Sequence, residues 1–192
     1  MTHEYTEDWF TRHIPVFKDV TDKLEKRHNF LEVGSFEGRS ACWLLENVLS
    51  DEGSLTCIDN WYGVKEHNSD GALAEKLFDK NIELSKKPNQ WVYKLSGNSS
   101  EKLGELIKAG DKYDFIYVDG HHSSPMVLSD VVMSFWLLEI GGIMHMDDYG
   151  WDFYAGSSTQ HPKPAIDAFV SCFAEYIEVI YVGYQYAIRR IK

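Results

Sequence analysis

The chain of 192 residues has the size of one α/β domain and can bury a sizeable core. Its formal net charge of -11 argues against a general nucleic-acid or membrane-surface binder, since both need clustered Lys and Arg. No apolar run is long enough to cross a bilayer, no signal peptide is visible, and Cys42, Cys57 and Cys172 match no zinc pattern. We therefore expect a cytoplasmic protein whose cysteines are reduced core residues.

The first 28 residues are rich in aromatic side chains. The stretch from Glu4 to Arg27 predicts two short helices that meet at Pro15, a residue that suits the first turn of the second helix. Trp9 and Phe10 belong to the front piece of this segment. Its helical spacing favours packing against the rest of the chain, and a lid over the substrate is the alternative.

Strands and helices alternate along the remainder of the chain. The predicted strands cover residues 30–33, 54–59, 91–97, 113–119, 143–148, 176–182 and 184–191. The predicted helices cover residues 40–49, 72–85, 99–110, 125–139 and 162–176. Ser99 or Ser100 caps the third, Pro125 begins the fourth, and Gly141 and Gly142 end it.

This alternation predicts a parallel sheet covered by helices on both faces. The last two strands are joined by a short connection about Gly183 and must pair antiparallel. The expected fold class is therefore α/β, with a Rossmann-like, seven-stranded, mostly parallel sheet and an antiparallel last strand. Residues 1–192 are expected to form one domain.

A glycine turn interrupts the chain between the first strand and its helix, within Asn29–Ser40. The strand breaks at Gly34, and Gly38 follows just before the helix. Glycine lets the backbone approach a ligand closely, and the free N–H groups of a helix start favour an electron-rich group. A dinucleotide-binding loop has three glycines in the pattern G-x-G-x-x-G. Two glycines suit a nucleoside ligand that lacks a diphosphate.

Acidic side chains follow three of the predicted strands, where ligands bind in such sheets. Asp59 could accept hydrogen bonds from a ribose, or it could cap a turn. Asp119 and the Asp147–Asp148 pair end strands that should be neighbours. Two ionised carboxylates about 4 Å apart repel by roughly 4 kcal/mol at an effective dielectric constant near 20, so the cluster needs protons or a cation. Oxygen ligands favour Mg2+, Ca2+ or Mn2+ over zinc. The alternative is that the acids cap a helix or bind a loop amide without a metal.

The ordered motifs LEVGSFEGRS, LTCIDNW, LSGNSSEKL, DFIYVDGHH and GGIMHMDDYG, with Asp130 in the intervening helix, resemble the class I S-adenosylmethionine (SAM)-dependent methyltransferases. The resemblance implies that the glycine turn contacts the methionine part of SAM, that Asp59 holds the ribose, and that Asn98 approaches the adenine. An ordinary turn or cap is the alternative for Asn98. The cofactor-binding residues implied in this way are Glu32, Gly34, Ser35, Gly38, Ser40, Asp59, Asn60, Asn98, Ser99 and Asp119.

The acid cluster is similar to that of the metal-dependent O-methyltransferases of the sugar-modifying and catechol types. This resemblance implies that Asp119, Asp147 and Asp148 hold Mg2+ or a similar divalent cation. His121 is the predicted general base and His122 the second catalytic candidate, because imidazole titrates near neutral pH. The sugar-modifying relatives tend to have an acid where His121 stands, so either histidine could instead order the loop or touch the metal shell.

The predicted activity is SAM-dependent methyl transfer to a hydroxyl of a small molecule of the sugar or phenol type. A metal-independent methyltransferase with another acceptor, and a catalytically silent SAM-binding protein, are the alternatives; the two-glycine turn disfavours a dehydrogenase. An aromatic cluster near the predicted mouth could form a wall for the acceptor or a homo-oligomer contact. Its members are Trp61, Tyr62, Tyr149, Trp151, Phe153 and Tyr154.

Overall fold

The computed structural model describes residues 2–62, 70–151 and 159–192. The strands are β1 (Asn29–Val33), β2 (Ser54–Asp59), β3 (Trp91–Ser96), β4 (Tyr113–Val118), β5 (Leu138–Met146), β6 (Ile177–Val182) and β7 (Tyr186–Arg190). The α-helices are α1 (Ile14–Thr21), α2 (Arg39–Asn47), α3 (Gly71–Ser85), α4 (Ser99–Ala109), α5 (Ser124–Leu137) and α6 (Lys163–Cys172), and a 3-10 turn, Thr11–His13, precedes α1. No helix in these residues is long and apolar enough to cross a membrane.

The strands form one sheet in the order β3-β2-β1-β4-β5-β7-β6. β1 to β5 pair in parallel, whereas β7 runs antiparallel to both β5 and β6. All six residues of β4 are buried, as expected for a central parallel strand covered on both faces. The predicted fold class, including the antiparallel last strand, is confirmed.

Helices pack on both faces of the sheet around two apolar clusters. Phe17 of α1 and Phe78 of α3 belong to the cluster on one face, together with Phe115 of β4. Phe135 of α5 and Phe169 of α6 belong to the cluster on the other face. The sheet is therefore fixed from both sides, and its strand ends are rigid supports for side chains.

Four local predictions were wrong. The segment before α1 forms only a 3-10 turn, so Pro15 lies in the first turn of a single short helix. Gly141 and Gly142 do not end α5; they lie inside β5, where the pairing with β4 shifts register and Gly141 takes a φ of 87°. Asn98, rather than a serine, caps α4. Cys172, predicted to be in the core, is exposed.

Hydrogen bonds continue the ladder one residue beyond the strands. The Gly34 N–H donates to the Ile58 carbonyl at 2.8 Å, and the Asp119 N–H donates to the Val33 carbonyl at 2.8 Å. The Asp147 N–H donates to the carbonyl that ends β4 at 2.9 Å. The glycine turn and two of the acids are thereby held side by side at one edge of the sheet.

Candidate active site

A cavity of about 700 Å³ lies at the carboxyl ends of the parallel strands. Asp59, Asp119 and Asp148, which follow three different strands, all line it. The N-terminal segment closes part of it with Trp9 and His13. Of the predicted cofactor and catalytic residues, the cavity is lined by Gly34, Ser35, Ser40, Asp59, Asn60, Asn98, Ser99, Asp119, His121, His122, Asp147 and Asp148. Glu32 and Gly38 lie behind this lining.

The turn between β1 and α2 depends on two glycines with positive φ angles. Gly34 has a φ of 89°, and a Cβ there would lie 2.0 Å from the carbonyl oxygen of Asp119. Gly38, with a φ of 80°, occupies the N-cap position of α2. Because Gly34 has no side chain, its turn can pass against the neighbouring strand end and leave its backbone open to the cavity.

Asp59 braces this turn. Its Oδ2 accepts hydrogen bonds from the backbone N–H groups of Ser35 at 3.0 Å and Phe36 at 2.8 Å. Its Oδ1 accepts from the N–H of Trp61 at 2.8 Å. The turn-capping alternative is therefore present in the structure. The Oδ1 atom, with one hydrogen bond, can accept another, and the ribose contact stays a prediction.

Glu32 is a fully buried acid beneath the turn. Its Oε1 accepts a hydrogen bond from the Ser40 hydroxyl at 2.5 Å, and its Oε2 lies 3.9 Å from the Cys57 thiol. Burial raises the pKa of Glu32 from 4.5 to about 7, and the charge of Asp59 adds to the rise. This carboxyl is therefore poised to lose its proton near neutral pH when a positive charge approaches the turn.

The turn after β3 forms the far end of the cavity. Asn98 caps α4 by accepting hydrogen bonds from the N–H of Ser100 at 3.0 Å and from its hydroxyl at 2.7 Å. The Ser99 hydroxyl donates to Asp130 of α5 at 2.7 Å. Asp130 thus ties α5 to this turn. Asn60 accepts a hydrogen bond from the N–H of Tyr62 at 2.8 Å.

One group of metal-ligating side chains stands out among the described residues. An atom each from Asp119, His122 and Asp148 lie within 4.8 Å of one another. The His122 Nε2 is 3.0 Å from the Asp148 Oδ2, and the hydroxyl of Tyr184 donates to the Asp148 Oδ1 at 2.9 Å. Asp148 has a φ of 57°, a left-handed conformation that is unusual for a residue other than glycine. That conformation turns its carboxylate away from the path of β5.

Asp147 points in a different direction from Asp148. Its Oδ2 accepts hydrogen bonds from the Tyr117 hydroxyl and, at 2.9 Å, from the Gln185 amide, and its Oδ1 accepts from the Asp148 N–H at 2.7 Å. Burial, with the charge of Asp148, raises the pKa of Asp147 to about 6. The Tyr117 hydroxyl also reaches Asp119 at 3.1 Å, and burial with two acidic neighbours raises the pKa of Asp119 well above its usual range.

His121 lies at the rim of the cavity and is exposed. Its Nδ1 accepts a hydrogen bond from the N–H of Ser123 at 2.9 Å. In a neutral imidazole with that bond, Nε2 carries the proton. His145, in contrast, is fully buried in β5 as a core histidine, and burial lowers its pKa to about 3.

Several residues at the site were missed from the sequence. Tyr184 and Gln185 come from the connection between β6 and β7, which meets the acids only because β7 pairs with β5. Tyr117 was assigned only to a strand. Of the predicted aromatic wall, Trp151 lies over His122 with ring centroids 4.4 Å apart. Trp61 and Tyr62 also line the cavity, whereas Tyr149 packs on Tyr186. Phe153 and Tyr154 fall outside the described residues.

Comparison with protein families identifies the class. A family model described as a methyltransferase domain matches residues 31–149, more than half of the chain. The chain therefore belongs to the methyltransferase domain family, and the protein is a SAM-dependent methyltransferase. No curated protein matched the chain.

Solved structures show the same fold. An O-methyltransferase from Bacillus cereus in complex with SAH is 16% identical, with a TM-score of 0.67, covering 100% of this chain and 84% of that one. The O-methyltransferase TomG from Streptomyces achromogenes, in complex with SAM, is 16% identical with a TM-score of 0.63, covering 92% and 77%. The MycE methyltransferase of mycinamycin biosynthesis, in complex with Mg, SAH and mycinamycin VI, is 12% identical with a TM-score of 0.65, covering 97% of this chain and 50% of that one.

Proposed function

We propose that this methyltransferase moves the methyl group of SAM to a hydroxyl of a small molecule, and that a divalent cation assists the transfer. The observation that carries the proposal is the group formed by Asp119, His122 and Asp148, which lines the same cavity as the glycine turn. A site that only bound SAM would have no use for three metal-ligating side chains beside the methyl donor.

The cofactor half of the site fits SAM. The backbone of Gly34 is open to the cavity, Asp59 lies beside it, and Asn98 and Ser99 mark the other end. The buried carboxyl of Glu32 beneath the turn complements a cationic ligand. SAM supplies a sulfonium methyl that is already a good electrophile, so these residues mainly align the cofactor and exclude water.

The cation half fits a hard divalent ion. The two carboxylates suit Mg2+ or Mn2+, whereas the imidazole of His122 is a ligand more usual for transition-metal ions, so of these two ions the mixed set favours Mn2+. We assign the ligand set to Asp119, His122 and Asp148. Asp147 contributes no atom to this group, and its carboxylate already accepts three hydrogen bonds, so we assign Asp147 to bracing the loop. A cation held there would lower the pKa of a bound hydroxyl and orient it towards the methyl group.

We assign His121 as the general base that accepts the proton of the acceptor hydroxyl. The Nδ1 atom can take that proton only after it gives up the Ser123 N–H, because Nε2 is protonated while that bond exists. His122 is not available as the base in this arrangement, since its Nε2 faces Asp148. A small movement of the loop would therefore accompany proton transfer.

Metal-independent transfer is the second candidate. Tyr117, Tyr184 and Gln185 already donate hydrogen bonds to the acids, and burial raises the pKa of Asp119, which favours its protonated form. Protons could therefore neutralise the cluster in place of a cation.

The two candidates are separated by methyl transfer from labelled SAM to a panel of catechols and sugars. The metal-assisted reaction should stop in excess EDTA and recover with Mg2+, and Asp148→Asn should lower its rate by about 100-fold. A full rate in EDTA, retained in Asp148→Asn, would remove the cation and leave the second candidate. Lys18→Gln, on the exposed face of α1, is the control variant.

A further inference from the structure

We propose that Arg12 selects a methyl acceptor that carries a carboxylate. This inference rests on the proposed function and names its substrate class. Arg12 and Arg39 are the two Lys or Arg residues among the described residues that line the cavity. Arg39 lies 3.5 Å from the carboxylate of Asp8, while no described carboxylate lies within 4.0 Å of the Arg12 guanidinium.

The Arg12 side chain is held in place by two contacts. Its guanidinium lies over the ring of Tyr184, with Cζ 5.2 Å from the ring centroid, and its Nε donates to the Nε2 of His13 at 2.9 Å. His13 in turn stacks on Tyr184 at 5.1 Å. These contacts occupy the face and one edge of the guanidinium. The two terminal Nη groups remain to form the fork that binds a carboxylate through two parallel hydrogen bonds.

The fork is close to the proposed metal ligands. The guanidinium of Arg12 lies over the ring of Tyr184, and the hydroxyl of Tyr184 donates a hydrogen bond to Asp148. Arg12 and the ligand set are therefore separated by about one tyrosine side chain. An acceptor of that length could present a hydroxyl to the cation and a carboxylate to Arg12 together. Trp9 and Trp151 also line this part of the cavity and would contact the body of the acceptor.

The negative charge of the protein and of its cavity supports this role for Arg12. The protein has a net charge of -11 and several acids in the cavity. The carboxylates of Asp119 and Asp148 would offset the charge of the proposed divalent cation, so an anionic acceptor needs a further local cation. Burial and the neighbouring Arg12 lower the pKa of His13, which disfavours the charged form of this imidazole. A neutral acceptor would need no such cation, and Arg12 would then serve only to pack on Tyr184.

The test uses two matched pairs of probes, 3,4-dihydroxybenzoate with its methyl ester, and glucuronate with glucose. Each probe is titrated by calorimetry into the full chain saturated with SAH and Mg2+, and its methylation is measured with SAM. We expect the acid of at least one pair to bind about tenfold more tightly than its neutral partner. Arg12→Gln should remove that preference without weakening the neutral probe, Arg12→Lys should keep part of it, and Lys18→Gln should keep all of it.

Equal binding of acid and neutral probe in both pairs, or a preference that survives in Arg12→Gln, would overturn the proposal. The two proposals fail separately. An acid preference that depends on Arg12 but comes without any methyl transfer would refute the proposed function and retain the anion site. Methyl transfer at equal rates to the acid and the neutral probe would retain the proposed function and refute the anion site at Arg12.

Discussion

Replacement of Glu32 by Gln should make the stability of this protein less dependent on pH. Glu32 is fully buried and its pKa rises from 4.5 to about 7 on folding. Because the folded protein holds this proton more tightly than the unfolded chain, the proton stabilises the fold below about pH 4.5, and that stability is lost as pH rises through about 7. At about 1.4 kcal/mol per pKa unit, the loss is on the order of 3 kcal/mol.

The difference in the free energy of unfolding between the wild type and Glu32→Gln isolates the contribution of the Glu32 proton, since the other buried acids are present in both proteins. The free energy of unfolding of Glu32→Gln, taken relative to that of the wild type, should therefore be about 3 kcal/mol higher at pH 8.5 than at pH 5. A gain of that size raises the melting temperature by about 6–12 °C in a chain of this length. Urea unfolding followed by tryptophan fluorescence measures it, and Glu52→Gln, at an exposed position, is the control. The same stability difference at both pH values would refute the reasoning about Glu32.

Three further predictions concern the turn, the base and the ribose contact. Gly34→Ala should lower kcat/KM by at least about 100-fold, because its Cβ would meet the Asp119 carbonyl at 2.0 Å; Gly110→Ala, with a similar φ of 82° and nothing within 4 Å, should cost only about 1 kcal/mol of stability and no activity. His121→Asn should lower kcat by about 100-fold and flatten the acid limb of the pH–rate profile, with SAM affinity unchanged. Asp59→Asn should weaken SAM binding by about tenfold in calorimetry. Equal activity of Gly34→Ala and Gly110→Ala would contradict the first prediction. An unchanged pH profile in His121→Asn would contradict the second, and unchanged SAM affinity in Asp59→Asn the third.

The sequence predicted which residues would meet at one edge of the sheet because the signals for them were local. Parallel strands end at a common edge of the sheet, so acids and glycines that follow them in the sequence meet in space. Gly34, Asp59 and Asp119 are of this kind, and all three line the cavity. Alternation of strands and helices likewise predicted the sheet, and the short connection about Gly183 predicted the antiparallel end.

The finer arrangement depended on geometry that no short motif encodes. Asp147 and Asp148 are adjacent in sequence, yet their carboxylates accept hydrogen bonds from different side chains. The metal set predicted from the sequence stays a prediction, and the geometry favours His122 in place of Asp147. Tyr184 reaches the site through the pairing of β7 with β5, a contact between distant parts of the chain. Gly141 and Gly142 resembled a helix end but form an irregularity within β5.

The central claim is that a divalent cation binds at Asp119, His122 and Asp148 beside the cofactor. Titration of the SAH complex with Mn2+, followed by the loss of the free-ion EPR signal, tests it without needing the acceptor. We predict one tightly bound ion per chain, affinity lowered by at least about 100-fold in Asp148→Asn, and affinity largely kept in Asp147→Asn. Equal Mn2+ affinity in the wild type and Asp148→Asn would contradict the assignment of this site.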